Sequence, residues 1–415
     1  MALKYLYVPS GYKAGTAYGV LPNDSTADFD EFVRDTSATR TNKDGLVESM
    51  GNNVPRLDYS DGGCPSLLLE TQRTNLAKYS EQITLWNKNP NDGTVTIRTD
   101  DEASPDGNMT ADIVSVLTQY DGVYTQGITT VAESTYSCSA YVKHVSGSSK
   151  IRVGVTTYFY STTPTNPTKY IVIDLSNGSI ISNDVSSFAT AKVINAGNGW
   201  YRIIIENMTI PVGGGGNSNF VIYSYEDGLT EFSVWGGQIE VGSFTSSYIP
   251  NLSNSQTTRN NDKGNLAGNF DVLDNDSGVL EAKFKAFATD NNSRRITLGA
   301  TDSNRVVLGY GYNNGTVKPY LLIVSPTGIE DIHISMPSSF NIFDYNTYQF
   351  KFQSGNNELK INGELVDTDT SFNTLNFTFS ASLTNISLNY YNNSSNKIFQ
   401  GGLKHIKVYD SATDF

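Results

Sequence analysis

The chain is poor in cysteine, in histidine and in positive charge for its length. Of its 415 residues only Cys64 and Cys138 are cysteines, and only His144, His333 and His405 are histidines. Two cysteines so far apart build neither a CxxC zinc site nor a disulfide framework, and they read as isolated buried thiols. The histidines are equally scattered and read as strand residues, so no metal centre is expected. Lys and Arg number 29 against 42 Asp and Glu, for a net charge of -13. Phosphate binding needs clustered cations, so no nucleic-acid partner is expected. No apolar run approaches the roughly 18–20 residues of a membrane helix, and membrane insertion is not expected. In the opening MALKYLYVPSGY, Pro9 and Gly11 interrupt the apolar stretch too early for a secretory signal.

What the chain has in abundance is glycine and tyrosine, 36 and 25 residues, with Val, Ile, Thr and Phe in short runs bounded by Asn, Asp, Gly and Ser. That is a β vocabulary, and at about 150 residues per domain the length suggests two or three domains. Residues 1–65 are irregular and turn-rich and read as an extended arm that orders against another domain or subunit. Residues 66–250 hold about ten strand-like runs, among them STYSCSAYVKHV, KIRVGVTTYFY and WYRIIIE, as an antiparallel sandwich requires. Residues 251–268 are polar and read as a linker. Residues 269–415 begin a second strand series, in which Tyr348, Phe350 and Phe352 alternate with Gln349, Lys351 and Gln353, and Asn362-Gly363 marks a hairpin turn. The expected fold is all-β: two antiparallel β-sandwich (jelly-roll) domains in tandem after an extended N-terminal arm.

Three stretches carry resemblances. VRDTSATRTNKDGLVESMGNNVPRLDYSDGGCPSLLLETQRTN, Val33 to Asn75, resembles a segment found in bacteriophage tail-fibre and other virion structural proteins; Thr71 stands where the usual form has proline. NGWYRIIIE, Asn198 to Glu206, followed by WGGQIEVGSFTSSYIP, Trp235 to Pro250, is similar to the carbohydrate-binding-type jelly rolls of such fibres, with one extra serine. NTYQFKFQSGNNELKINGELV and FQGGLKHIKVYD resemble concanavalin A-like, or laminin G-like, lectin sandwiches. The resemblance implies a virion fibre or surface appendage, on head or tail. It also implies attachment to other virion proteins through the arm, homotrimer formation and adhesion to host-surface polysaccharide.

No catalytic residues are assigned, and the chain reads as a non-enzyme. The Glu-x-Asp-x-x-Glu strand of the sandwich glucanases is absent, and Glu226, Asp227 and Glu231 lie in YEDGLTE, which reads as a turn. Gly213 to Gly216 lack the Lys-Ser/Thr of a phosphate loop and read as a hairpin loop. Sugar binding needs aromatic faces beside amides and carboxylates, so the candidate ligand residues are Tyr312, Asn313, Tyr391, Asn392, Tyr158, Tyr160, Gln238 and Glu240, with Tyr223 and Tyr225 also weighed. For Gln238 and Glu240 the competing reading is a hydrogen-bonded pair that pins a neighbouring strand. Alternation along Val234–Val241 puts Trp235, Ile239 and Val241 on one face and Gln238 and Glu240 on the other. No cofactor is expected. Structural calcium is the alternative weighed, but DVLDNDSG, Asp271 to Gly278, has Ala282 where an EF-hand needs glutamate and reads as a solvated loop. Two other functions remain in view, a purely structural capsid or tail decoration protein and a polysaccharide depolymerase.

Overall fold

A computed structural model describes residues 1–13, 16–21, 29, 32–90, 93–162, 167–268, 276–287, 293–314, 316–334, 336–366, 370–388 and 397–412. The chain forms two compact units. The first comprises Met1–Ser37, Met50–Gln72 and Asn260–Phe415, and the second Ala38–Ser49 and Arg73–Arg259. Both are antiparallel β-sandwiches.

In the second unit two six-stranded sheets face each other. One runs in the order Thr190–Gly197, Trp200–Thr209, Thr135–Gly147, Thr230–Val241, Met109–Val116, Thr96–Ala103. The other runs Ser179–Asn183, Lys169–Asp174, Lys150–Val155, Phe220–Ser224, Gly122–Tyr124, Asn87–Asn89. Strand alternation turns Cys138, Ala140 and Val142 from the first sheet, and Ile151, Val153 and Val155 from the second, into one shared core.

The first unit packs a five-stranded sheet, ordered Gly328–His333, Thr316–Ser325, Asn304–Asn313, Arg294–Thr301, Asn385–Ser387, against a larger one centred on Gly401–Tyr409, Ser277–Ala286 and Asn346–Gln353. Tyr348, Phe350 and Phe352 point into its core as expected. Asn362 and Gly363, with φ of +52° and +87°, make the hairpin turn between Glu358–Ile361 and Glu364–Val366.

The extended arm and the tandem order both need correction. Leu3–Lys13 pairs with Gly401–Tyr409, matching Leu6 to Lys407 and Tyr7 to Ile406, and Tyr5 and Tyr7 are buried in the first unit's core. Alternate apolar residues in KYLYV are therefore strand residues whose partner lies at the far end of the chain, a pairing that local pattern cannot reveal. The second unit's two segments, Ala38–Ser49 and Arg73–Arg259, are inserted at two points within the first. The polar linker is likewise built into the fold: Asn251 and Asp262 are fully buried, Thr257–Arg259 pairs with Arg73–Asn75, and Ala267 bonds across to Ile386. Its polar side chains are used inside, as substitutes for missing backbone partners. Of the two thiols Cys138 is buried and Cys64 is exposed.

A charged cluster is buried in the first unit. Arg34 Nη1 donates to Asp262 Oδ1 at 2.9 Å, and Arg56 donates to Glu70 Oε2 at 2.8 Å and to Asp262 Oδ2. The Glu70 amide also donates to Asp262 Oδ2, at 2.9 Å, and the Asp262 amide to the Glu70 carbonyl, at 2.9 Å. Arg34 donates further to the carbonyls of Thr36, Val54 and Gly51. Two guanidinium groups and two carboxylates thus balance in a site without water access, which is the condition under which buried charge is tolerated.

On the outer face of the larger sheet, Glu281 accepts from Lys407 Nζ at 2.7 Å and Gln349 Nε2 at 2.8 Å, and His405 Nε2 lies 2.8 Å from its Oε1. Burial raises its carboxyl pKa, but the hydrogen bonds from His405, Lys407 and Gln349 outweigh burial and hold it at about 2. A depressed carboxyl contributes stability above its unfolded value of about 4.3, and that contribution fades as pH falls towards 2. We expect Glu281→Gln to remove on the order of 2 kcal/mol of stability at pH 7 and to flatten the loss between about pH 4.3 and 2. Urea titrations at stepped pH measure this, and parallel pH curves for both proteins would refute it.

Candidate functional site

The signature stretch Trp235–Pro250 is consumed by architecture. Ser139 pairs with Gln238 and Tyr141 with Trp235, so Gly236 and Gly237 together stand opposite the single Ala140. This is a β-bulge. Gly236 has φ +65°, and a Cβ on Gly237 would lie 2.3 Å from the Trp86 ring, so both positions call for glycine. The extra residue reverses the alternation. Trp235 joins Gln238 and Glu240 on the outer face, while Ile239 points into the core with Val234. The expected grouping of Trp235 with Ile239 is therefore corrected, and Val241 is half-exposed at the strand end.

Gln238 and Glu240 are fully buried. Gln238 accepts from the Ile249 amide at 2.6 Å and donates to the Ser247 carbonyl at 3.3 Å, and Glu240 accepts from the amide of Ser246 at 3.0 Å and from its hydroxyl. Two residues of the preceding signature strand do the same work: Glu206 accepts from the Thr245 amide at 3.1 Å, and Arg202 donates to the Ser246 carbonyl at 2.9 Å. The Tyr248 ring packs 4.6 Å from that of Trp235. Asn75, at the end of the Val33–Asn75 motif, closes the clamp. Its Nδ2 donates to the carbonyls of Gly237 at 3.0 Å and Ile249 at 2.8 Å, and its Oδ1 accepts from the amides of Ala77 at 2.9 Å and Ile239 at 3.2 Å. The exit segment has few ladder partners, and these side chains satisfy its backbone. Gln238 and Glu240 are pins, not ligand contacts.

The structure assembles an aromatic surface elsewhere, on the outer face of the second unit's Lys150–Val155 sheet. With Ile151, Val153 and Val155 turned inwards, Arg152 and Gly154 face out. The pairing then sets two rows across the strands. Val172, Arg152, Tyr223, Gly122 and Asn89 form one, and Tyr170, Gly154, Val221, Tyr124 and Asn87 the other. A Cβ on Gly154 would lie 2.7 Å from the Tyr170 ring, and one on Gly122 2.9 Å from that of Tyr223. The two rings therefore lie down over the glycines, close to the sheet.

Arg152 fixes the centre of this face. Its guanidinium sits 3.9 Å from the Tyr120 ring centroid and 4.6 Å from that of Tyr225, and Nη1 donates to the carbonyls of Ser224 at 2.9 Å and Tyr225 at 3.1 Å. Tyr120 and Tyr170 approach to 6.1 Å between centroids, as do Tyr170 and Tyr223 to 6.2 Å. Tyr223 is buried, Tyr124, Tyr170 and Tyr225 are half-buried, and Tyr120 is exposed. Burial raises the phenol pKa values of Tyr170 and Tyr223, so both remain neutral hydroxyl groups. Asn89 Nδ2 donates to the Tyr120 carbonyl at 2.9 Å, and Asn87 is exposed. Partly open tyrosine rings ringed by amides and one guanidinium suit a ligand with apolar faces and hydroxylated edges.

Of the residues expected from sequence, Tyr160 packs partly buried against the second unit's core, its ring stacked on Phe188 at 4.7 Å. Tyr158 is half-buried with its ring against Gly216. Asn313 is half-buried at the end of its strand, where its carbonyl accepts from Thr316 at 3.2 Å. The Tyr312 side chain and the whole of Tyr391 and Asn392 lie outside the described residues, as does Asp271 to Asn275 of the calcium candidate. Asp276, which is described, accepts from the Phe379 amide at 2.7 Å.

Sequence reading overlooked Arg152, Tyr120, Tyr124 and Tyr170. The usable signal was the alternation in KIRVGV, which exposes Arg152 and Gly154 on one face. Glu226 lies in the turn and is held by Lys150 at 2.7 Å, whereas Glu231, expected in the same turn, is the second residue of the strand Thr230–Val241 and is held by Arg98 at 2.7 Å. Among the described residues no group of three His, Cys, Asp or Glu is placed to hold a metal ion, and no helix is long and apolar enough to cross a membrane.

No family model and no curated protein matches the chain. Among solved structures, domains LG4-5 of the mouse laminin alpha1 chain align over 72% of this chain and 90% of that one, at 10% identity and a TM-score of 0.25. That overlay is too loose to bear on function, and the β-sandwich assignment rests on the sheets and cores described above.

Proposed function

We propose that the protein is a non-enzymatic glycan-binding adhesin, and that the tyrosine and arginine face of the second unit is its binding surface. The observation that carries this reading is the flat arrangement of Tyr170 and Tyr223 over Gly154 and Gly122, beside an Arg152 held between Tyr120 and Tyr225. The half-buried Tyr170 and Tyr124 and the exposed Tyr120 offer ring faces to the C–H side of a sugar, and the amides of Asn87 and Asn89 border them. The likeness of Val33–Asn75 and of Trp235–Pro250 to virion-fibre sequences supports a place on the surface of a phage particle. In that setting the partners are other virion proteins and host polysaccharide, and the assembly is a homotrimer. Leu3–Lys13 is a core strand, which favours folded surface over a free arm for such contacts.

A glycan array probed with the whole protein tests the reading, followed by titration of the best ligand. Tyr170→Ala and Tyr124→Ala are each expected to weaken binding about tenfold, the loss of one stacking contact, without a change in melting temperature beyond a few degrees. An array silent across host polysaccharides would instead favour a purely structural decoration protein. Release of oligosaccharides from host capsule would refute the non-enzymatic part.

A further inference from the structure

The charged groups on the tyrosine face of the second unit bear on the kind of glycan it takes. Arg152, the cation at its centre, is already engaged by the protein. The residue is 7% exposed, its guanidinium lies against the Tyr120 and Tyr225 rings, and Nη1 is shared by the Ser224 and Tyr225 carbonyls. Two residues back on the same strand, Lys150 shares this face and pairs opposite Asp174. Lys150 Nζ donates to Glu226 Oε1 at 2.7 Å, and Glu226 Oε2 accepts from the Ser148 hydroxyl at 3.1 Å. Asp174 Oδ1 accepts from the Ser149 hydroxyl at 2.7 Å and from the Ser176 amide at 2.9 Å. Hydrogen bonds from Lys150 and Ser148 hold the Glu226 carboxyl below its usual range, and those from Ser176 and Ser149 do the same for Asp174. Both are therefore ionised at neutral pH.

Arg152 and Lys150 thus stand with Glu226 and Asp174, and these four leave no excess of positive charge here, in a chain whose net charge is -13. An anionic sugar would find no cation that is not already engaged. The rings act in the same direction. The face of an aromatic ring is the negative side of its quadrupole, so a carboxylate or sulfate brought against Tyr124 or Tyr170 meets repulsion as it loses its hydration. An anion desolvated without a pairing cation is costly. Hydroxyls meet no such penalty. The phenols of Tyr170 and Tyr223 and the amides of Asn87 and Asn89 are neutral groups that can donate and accept beside the rings.

We propose that this face selects uncharged polysaccharides and rejects those that carry carboxylate or sulfate groups along the chain, an inference that rests on the glycan-binding reading above. The test is an array on which each acidic bacterial surface polysaccharide is printed beside its carboxyl-reduced form, so that the members of a pair share their linkages and differ in the acid group. The whole protein is applied at about 0.05 M and about 0.5 M salt. Neutral polymers and carboxyl-reduced forms are expected to bind about tenfold tighter than the acidic parents, and to keep that affinity within about twofold across the salt range. Tyr170→Ala should weaken these signals about tenfold, which ties them to this face. Glu226→Gln, at a side chain open to solvent, frees Lys150 and should raise binding of the acidic members severalfold at the lower salt, with the neutral members unchanged. Equal binding within the pairs, tighter binding of acidic members that Tyr170→Ala removes, or indifference of the acidic members to Glu226→Gln would overturn the selection and leave the glycan-binding reading intact. Silence across every member would remove that reading, and this inference with it.

Discussion

Asp262→Ala is expected to destabilise the first unit by about 3–5 kcal/mol, a large share of the roughly 5–15 kcal/mol that holds an ordinary domain folded. The side chain accepts from Arg34, from Arg56 and from the Glu70 amide, and all four residues are buried. Its removal leaves two guanidinium groups facing the single carboxylate of Glu70, with no solvent to screen the excess charge. Burial draws the Arg34 pKa down and the coulombic pull of Asp262 opposes it, so the loss of Asp262 leaves Arg34 with less reason to stay charged. The aim of the measurement is a denaturation midpoint for the unit, by urea with tryptophan-independent circular dichroism. A shift worth less than about 1 kcal/mol would show that the network is dispensable. Replacing all four residues with apolar ones of similar size is expected to be much milder than removing one, because no charge is then left unpaired.

Asn75→Asp should be nearly as severe in the second unit, at about 3–4 kcal/mol at pH 7. The change keeps size and shape. It converts the Nδ2 donor, which serves the Gly237 and Ile249 carbonyls, into an oxygen facing two oxygens. The other oxygen still accepts from the Ala77 and Ile239 amides. A buried carboxylate in that position has its folded pKa raised, so the penalty applies above the unfolded value of about 3.9 and disappears as pH falls below it. The deficit relative to the parent protein should therefore shrink towards pH 4. A deficit independent of pH would mean that geometry, and not charge, makes Asn75 necessary.

Much of the fold was legible in the sequence, for physical reasons that differ by segment. Tyr348, Phe350 and Phe352, and Asn362-Gly363, announce strand and turn because period and turn chemistry act over a few residues. The partnership of Leu3–Lys13 with Gly401–Tyr409 leaves no local trace, since a strand's pattern names its buried face and not its neighbour. The single bulge at Gly236 and Gly237 was enough to misplace Trp235 against Ile239. Gln238 and Glu240 showed the limit of residue type as a guide to function: an amide and a carboxylate beside an aromatic describe a sugar site and an internal clamp equally well, and only burial separates them. Arg152 was passed over for the opposite reason, because a lone arginine in a β run carries no signal until Tyr120 and Tyr225 are brought to either side of it.

The insertion of one unit within the other sets a timetable for synthesis. Residues 73–259 form almost all of the second unit, while Leu3–Lys13 must wait for Gly401–Tyr409 before its strand edge is paired. At about 5–20 residues per second, that wait is roughly 20–80 s. For this time one edge of an apolar strand stays open on the ribosome, so any need for a holding chaperone falls on Leu3–Lys13 and not on the second unit.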